Sequence, residues 1–511
     1  YKECVFDDVN FIQQGGSIYP KLDCKNGGVQ DANTCNCADG WSGTTCGTCA
    51  DGYVNLNGAC YVKLACGMNQ HQEANACVCD SGYINQDGVC YAKLTCGENK
   101  HQDKNSCVCD SGYIEQGGVC YAELTCGHGY QKENECICDS GYIIREGSKT
   151  CIKSVIGSEE GVNNDSINII NRNDDDIYGM YGDFEKTGSK AIDNASEGKT
   201  GSISIDNIGN GYIYGMFYNM YADNASGTNS VGTIDIINEG SGNVYGLFGL
   251  GQAYNAFRKS STGTINVKNK GIGNVYGMYS SGMTFNAGGE NSTGNIDISN
   301  EGDGNVYGIY GEDYAHNSSN GTGCITINNK GNGKVYGIYG GNYVYNSSSS
   351  KDTNLSSKAI INIDNDGTGD IYGMYGKNYV SNSSTDSGGS DGIIRISNNN
   401  KAATNDIYGM YSGDYAYSAG GTGNSSISII NLGQGNTYGL YGVSTSNNAS
   451  DSTQAILEII NAGDGLAVGM YGKKSVDNSG TIKIHNLGDG TAVGIYADSG
   501  TVTNSGNITI D

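Results

Sequence analysis

From Ser166 onward, apolar and polar residues alternate in short runs, and one run keeps returning: SISIDNIGNGYIYGMF, TIDIINEGSGNVYGLF, TINVKNKGIGNVYGMY, NIDISNEGDGNVYGIY, CITINNKGNGKVYGIY and, near the end, TIKIHNLGDGTAVGIY. Period-two alternation rich in Ile, Val and Tyr, punctuated by Gly and without any helical period, predicts half-buried β-strands. The Tyr of the YGMY element falls at positions 178, 214, 245, 276, 307, 336, 372, 408 and 438, with Val468 and Val493 replacing it at the end, so eleven repeats follow at spacings of 25 to 36 residues. Units of this size bury their apolar face only against their neighbours, which predicts an all-β fold: a parallel β-helix, or solenoid, of about eleven coils over residues 166–511.

One spacing is rigid. Asn207, Asn238, Asn269, Asn300, Asn329, Asn365, Asn431, Asn461 and Asn486 each precede the Tyr position by seven residues. Fixed spacing there and free length elsewhere is what a parallel stack requires, since strands must register on the coil below while a loop can bulge. The NxGxG run is read as the corner, with stacked Asn side chains bonding along the axis. Each coil is expected to hold three strands: IxI, VYGMY, and a short one such as Tyr314–Asn317 or Tyr343–Asn346. The last two coils degenerate to AVGMY and AVGIY, keeping Val468 with Met470 and Val493 with Ile495. Tyr178 and Met180 are therefore expected to face the core, and Tyr181 to stand in an outer ladder. Eleven coils at the strand spacing make a rod of about 50 Å. The variable loops, such as NSSSSKDTNLSSK and NSSTDSGGSDG, project at one corner.

A second period precedes this one. The 30 residues CGMNQHQEANACVCDSGYINQDGVCYAKLT from Cys66 are followed by CGENKHQDKNSCVCDSGYIEQGGVCYAELT from Cys96, and a looser copy runs from Cys126 to Cys151. The two Cys of a CxC pair point apart along a strand and must find different partners. The simplest arrangement pairs Cys66 with Cys77, Cys79 with Cys90, Cys96 with Cys107, Cys109 with Cys120, Cys126 with Cys136 and Cys138 with Cys151, although spacing alone leaves other connectivities open. Upstream, CKNGGVQDANTCNCADGWSGTTC (Cys24 to Cys46) resembles an EGF-like module in its NGG turn, CxC and GWxG run. It has four Cys rather than the family's six, so the resemblance implies only the Cys37 to Cys46 closure. Cys24, Cys35, Cys49 and Cys60 then complete nine local pairs and leave Cys4 over, a candidate intermolecular cysteine. The expected organisation is an N-terminal segment (1–23), a tandem cysteine-rich EGF-like array (24–151), a linker (152–165) and the solenoid (166–511), which stops at Asp511 in mid-repeat and is expected to continue beyond it.

Composition narrows the setting. The chain has 82 Gly, 38 Tyr and one Pro in 511 residues, and 20 Cys, 19 of them between Cys4 and Cys151. That density in modules too small to bury a core implies disulfides, and so an extracellular or cell-surface location. No run approaches the ~20 apolar residues of a membrane helix, so no membrane insertion by this portion is expected. A net charge of −25 with 29 Lys and Arg argues against a nucleic-acid partner.

Candidate chemistry is sparse, and no cofactor is expected. Parallel β-helices also carry polysaccharide lyases and glycosidases, which need clustered carboxylates. Asp235 and Asp297 share one strand position, but Asn266, Thr326 and Lys483 share it too, the variation of a solvated face. His71, His101, His128, His316 and His485 have no partner at ligand spacing. The turns at Gly302–Gly304 and Gly463–Gly465 resemble calcium-binding repeats without their nonapeptide period, and the Cys46–Cys49 spacing is read as disulfide rather than zinc. Asn194, Asn224, Asn317, Asn346, Asn382 and Asn448 stand in N-x-S/T sequons, in segments expected to be exposed loops, and are candidate glycan acceptors. Tyr83, Tyr113 and Tyr142, one per DSGY, are read either as partner contacts or as packing over the disulfides.

The VYGMYG coils joined to SGTxxNSGxIxI elements (Gly480 to Ile484, Ser499 to Ile510) resemble passenger domains of bacterial autotransporter-type adhesins. That resemblance covers about two thirds of the chain. It implies a non-enzymatic adhesin with a β-helical stalk and an EGF-like tip, binding a protein or glycan on a host or neighbouring cell. The alternative is a structural subunit of an extracellular filament or coat, partnered by copies of itself through coil-on-coil stacking. A carbohydrate-active enzyme is the third reading.

Overall fold

The computed structural model describes residues 9–139, 142–144, 149–159, 161–182, 191–348, 357–383, 389–419, 423–449 and 454–511. Cys4 lies outside them. The described residues form strands and turns only, in two compact units, residues 1–137 and 138–511.

The first unit is a string of short antiparallel hairpins. Typical are Gln70–Glu73 with Ala76–Cys79, and Tyr83–Gln86 with Val89–Ala92. Their tight turns need left-handed residues and have them: Asn57 and Gly58 at φ 53° and 86°, Asp87 and Gly88 at 54° and 82°, the type I′ geometry that matches strand twist. Eight disulfides close local loops as expected: Cys24–Cys35, Cys37–Cys46, Cys49–Cys60, Cys66–Cys77, Cys79–Cys90, Cys96–Cys107, Cys109–Cys120 and Cys126–Cys136. Cys151 is disulfide-bonded as well; the side chain of Cys138, its expected partner, lies outside the described residues. A glutamine clips successive hairpins together. Gln72 accepts from Leu64 N at 2.8 Å through Oε1 and donates to the carbonyls of Val62 and Ala74 at 2.7 Å through Nε2; Gln102 repeats this on Leu94, Ala92 and Lys104, and Gln131 on Leu124, Ala122 and Glu133.

The second unit is a three-sheet parallel solenoid. The IxI strands stack into a 12-stranded sheet, the YG strands into a sheet of 13 that includes one antiparallel strand, and the short third strands into a sheet of 11. Homologous residues pair coil to coil, as in Ile203↔Ile234 and Asn207↔Asn238, so every apolar position becomes a column. Ile203, Ile205, Ile213, Met216 and Ala222 of one coil lie in the continuous core, at 0 or 1% exposure. The segment expected as a linker is instead structured: Cys151–Glu159 is a strand that pairs in parallel with Asp176–Gly182, Val155 opposite Ile177. It extends the solenoid by one strand toward the N-terminus.

The YG strand corrects the expected facing. Ile177 and Met180 belong to the core, whereas Tyr178 belongs with Tyr181 on the opposite face. Strict alternation cannot place residues 177 and 180 on one side. Gly179 breaks it: the coil-to-coil register runs Tyr178↔Tyr214, then Met180↔Met216, skipping the glycine. A Cβ on Gly179 would sit 2.3 Å from Ile203 Cγ2 and 2.4 Å from the Gly215 carbonyl, so only glycine fits this inward bend. Val468 and Val493 therefore end an outer aromatic column, and the core position is kept by Ala467 and Met470.

Candidate functional site

Two asparagine ladders run through the solenoid. In the first, the Asn ending each IxI strand donates Nδ2 to Oδ1 of the next: Asn207 to Asn238 at 2.9 Å, Asn238 to Asn269, Asn269 to Asn300 and Asn300 to Asn329 at 2.8 Å. Each also donates to its own corner, as Asn269 does to the Gly271 carbonyl at 2.7 Å. Asn171 and Asn398 join the ladder too; Asn398 escapes the seven-residue rule because Lys401–Asn405 enlarges its corner.

The second ladder overturns the sequon reading. Asn194, Asn224, Asn317, Asn346, Asn382 and Asn448 are all at 0% exposure. Asn194 Nδ2 donates to Asn224 Oδ1 at 2.8 Å, Asn317 to Asn346 at 2.9 Å, Asn346 to Asn382 and Asn448 to Asn478 at 2.8 Å. A nitrogen that is buried and donating a ladder bond has no room for a glycan in this fold. The NAS and NSS triplets recur because the residue after the Asn is also buried and small, as Ala195, Ala225, Ser318 and Ser347 are.

The corner carboxylates serve the backbone. Asp303 Oδ1 accepts from the backbone N of Asn332 at 3.1 Å and its Nδ2 at 2.9 Å, and Asp464 Oδ1 accepts from the backbone N of Asp489 at 3.3 Å. Cys46 and Cys49, read against zinc, are both disulfide-bonded, and among the described residues no group of three or more His, Cys, Asp or Glu is placed to hold a metal. His71 and His101 bond Asp80 and Asp110 at 2.8 Å within their own hairpins. Tyr83 and Tyr113 are half-buried at hairpin bases.

Three outward surfaces remain. The YG sheet carries two aromatic columns. Tyr214, Tyr245, Tyr276, Tyr307 and Tyr336 stack with centroids 4.8 to 4.9 Å apart. The parallel column through Tyr279, Tyr310 and Tyr339 stacks at 4.7 to 4.9 Å and meets the first edge-on, Tyr307 to Tyr310 at 5.4 Å. Burial raises the pKa of Tyr276, Tyr307, Tyr336 and Tyr339, and further along the second column pushes Tyr441 up to about 12. The ring faces are spent on one another, and the first column is all but buried, Tyr214 at 1% and Tyr245 at 5% exposure.

The third sheet turns a mixed row outward: Asp193, Asp223, Tyr254, Phe285, His316 and Tyr345 in register. His316 stacks on Phe285 and Tyr345 at 4.7 Å, and burial pushes its pKa down to about 4. Asp193 and Asp223 each keep a buried Oδ1 without a partner. Burial, then the neighbouring Asp193, raises Asp223 to about 8. Sequence reasoning missed this pair; the repeated IDNAS and ADNAS carried the signal.

The IxI sheet presents a shallow groove. Its upper wall is the register row running from Asp235 through Asn266, Asp297, Thr326, Asn362 and Arg395 to Ser428. One depression, of about 400 Å³, is lined by Asp235, Asn266, Lys268 and Asp297; another, of about 280 Å³, by Thr326, Asn362, Asp364 and Arg395; both reach Asn328. Asp235 and Asp297 are separated by Asn266, whose Nδ2 donates to Asp235 at 2.6 Å. Cys324 stands on the rung beside Thr326, half-buried, its thiol pKa raised by burial.

No family model, curated protein or solved structure matches this chain.

Proposed function

We propose that the chain is a non-enzymatic extracellular surface protein whose main role is adhesion, with the solenoid as stalk and the disulfide-closed hairpins as a module contacting a protein or glycan on a host or neighbouring cell. The observation that carries this reading is the closure of both repeats. The hairpins are clasped by local disulfides, which persist only in an oxidising compartment. The coils are tied by two buried asparagine ladders, and the carboxylates Asp235 and Asp297 are kept two rungs apart with Asn266 between them. Rigid scaffolding with open flanks suits recognition better than chemistry.

The test is adhesion of beads coated with residues 1–511 to a panel of cell types, alongside negative-stain electron microscopy of the free protein over a concentration series. Adhesion above bare beads, with isolated particles at every concentration, supports the reading. Concentration-dependent fibres without adhesion replace it with the filament-subunit alternative, and turnover of any glycan added to the beads would replace it with an enzyme.

A further inference from the structure

The groove on the IxI sheet is open along its length, straight, and walled differently from its floor. Its upper wall repeats one polar side chain per coil over seven coils, short at every rung but Arg395, a length of about 30 Å at the strand spacing. The lower wall, two residues further along each strand, is polar over the five middle coils, through Lys268, Ser299, Asn328, Asp364 and Ser397, and ends on the exposed Ile237 and Ile430. Between them lies the sheet itself, whose N–H and C=O groups are already paired strand to strand around Ile327, Ile363 and Ile396.

That pairing discriminates between ligands. An extended peptide recognised by a sheet adds to an edge, where main-chain groups are free. On this face its own amides would meet no backbone partner and would be desolvated at a cost. A sugar chain carries its polar groups as hydroxyls around an apolar ring, matching amides, hydroxyls and carboxylates on the walls and a paired, uncharged floor. One pyranose is about as long as one coil is high, so successive rings meet successive rungs. The chain's charge of −25, and groove carboxylates Asp235, Asp297 and Asp364 against Lys268 and Arg395, repel uronates and sulfated glycans.

We propose that this groove binds an unbranched, uncharged glycan in an extended conformation, lying parallel to the solenoid axis across the rungs of Asn266, Thr326, Asn328 and Asn362. The proposal rests on the adhesive reading and names the ligand class of one flank. The binding is side chain to hydroxyl, so it is weak per sugar and grows with chain length. A straight groove favours ribbon-like β-1,4 chains over α-1,4 chains, which coil.

The test is calorimetric titration of intact residues 1–511 with hexasaccharides of β-1,4-glucose, β-1,4-N-acetylglucosamine and α-1,4-glucose, a heparin hexasaccharide, and an extended Ser/Thr decapeptide. The variants Asn362→Trp and Thr326→Trp plug the groove, and their circular dichroism and melting establish that they fold. Binding of a β-1,4 hexasaccharide that weakens ~10-fold or more on shortening to the disaccharide, and as much in both folded variants, is the expected result. No β-1,4 hexasaccharide bound at about 1 mM, binding unchanged in the variants, or preference for heparin or the peptide overturns it. Bead adhesion measured on the same variants separates the two ideas: adhesion that persists while no glycan binds removes the groove and leaves the adhesive reading standing.

Discussion

Ser418 and Ser425 face each other with their hydroxyl oxygens 2.7 Å apart, where the other rungs of the second ladder from Asn194 to Asn504 pair an asparagine with glycine or alanine. The double change interrupts the column. Asn382 donates to Ser425 Oγ at 2.7 Å instead of to an asparagine, and on the far side Asn448 keeps a buried Oδ1 without a partner. A buried orphan acceptor costs about 1–3 kcal/mol. The pair Ser418→Asn with Ser425→Gly is expected to restore the column and stabilise the chain by ~1–2 kcal/mol in denaturant unfolding. Ser418→Asn alone should gain less, because the Ser425 hydroxyl stands where the other rungs carry only glycine or alanine. A double-mutant cycle reads the coupling directly.

In the first ladder, Asn269→Ala removes a donor to Asn300 and to Gly271 and an acceptor from Asn238. Asn300 Oδ1 loses this donor and Asn238 Nδ2 keeps only its bond to Gly240, so a loss of ~2–4 kcal/mol is expected. Asn269→Ser, which keeps one donor and one acceptor, should recover part of it in the same unfolding measurement.

Asp223 gives the fold a dependence on alkaline pH. Its folded carboxyl titrates at about 8, raised from 3.8 first by burial and then by Asp193, with Arg258 opposing. A raised acid pKa means the folded chain binds the proton more tightly, so stability falls as pH climbs from about 4 and is lowest above about 8. Asp223→Asn should therefore raise the melting temperature most at pH 9, by ~2 kcal/mol or more in free energy, and not at all near pH 4. A gain independent of pH would point to packing instead.

Reduction should separate the two units. Each clasp contributes about 2–4 kcal/mol to a hairpin with little core of its own, whereas among the described solenoid residues from Ser166 onward the one cysteine, Cys324, is free. Dithiothreitol followed by limited proteolysis is expected to digest the region before Cys138 and spare a fragment starting near Cys151, whose strand pairs with the first coil. A reduced chain cut evenly throughout would mean the solenoid leans on the disulfides.

How much of this the sequence disclosed depended on where the period was readable. The IxI columns and the Asn207 ladder came from a seven-residue spacing that coil stacking must preserve; five disulfides, from Cys66–Cys77 to Cys126–Cys136, followed from a 30-residue rhythm, and Cys37–Cys46 from the EGF-like resemblance. Tyr178 was misplaced because alternation was carried through Gly179, whose missing Cβ lets two inward residues flank a bend. Asn194 and its equivalents looked like loop sequons beside Ser-rich stretches, although their own recurrence at 30 or 31 residues, Asn194, Asn224, Asn255, Asn286, Asn317, was already the mark of a column. The Gln72 clip and the Asp193–Asp223 pair were hidden for a different reason: side-chain to backbone bonds and buried carboxylates leave no hydrophobic signature. Of the groove, only the row of Asp235, Asn266, Asp297 and Thr326 was read, as one solvated strand position; its second wall and the hollow between the two rows are made by stacking.

The clasped hairpins have a mechanical meaning. Each disulfide spans 9 to 11 residues, and the next loop opens within a few residues, at Cys37 after Cys35 and at Cys79 after Cys77. Pulled from its ends, such a chain transmits tension through sulfur bridges and the few peptide bonds between them, while the residues inside each loop carry none. Hairpins that melt under force therefore release almost no slack, and the segment behaves as a tether whose length is fixed covalently, outlasting any strand pairing it loses.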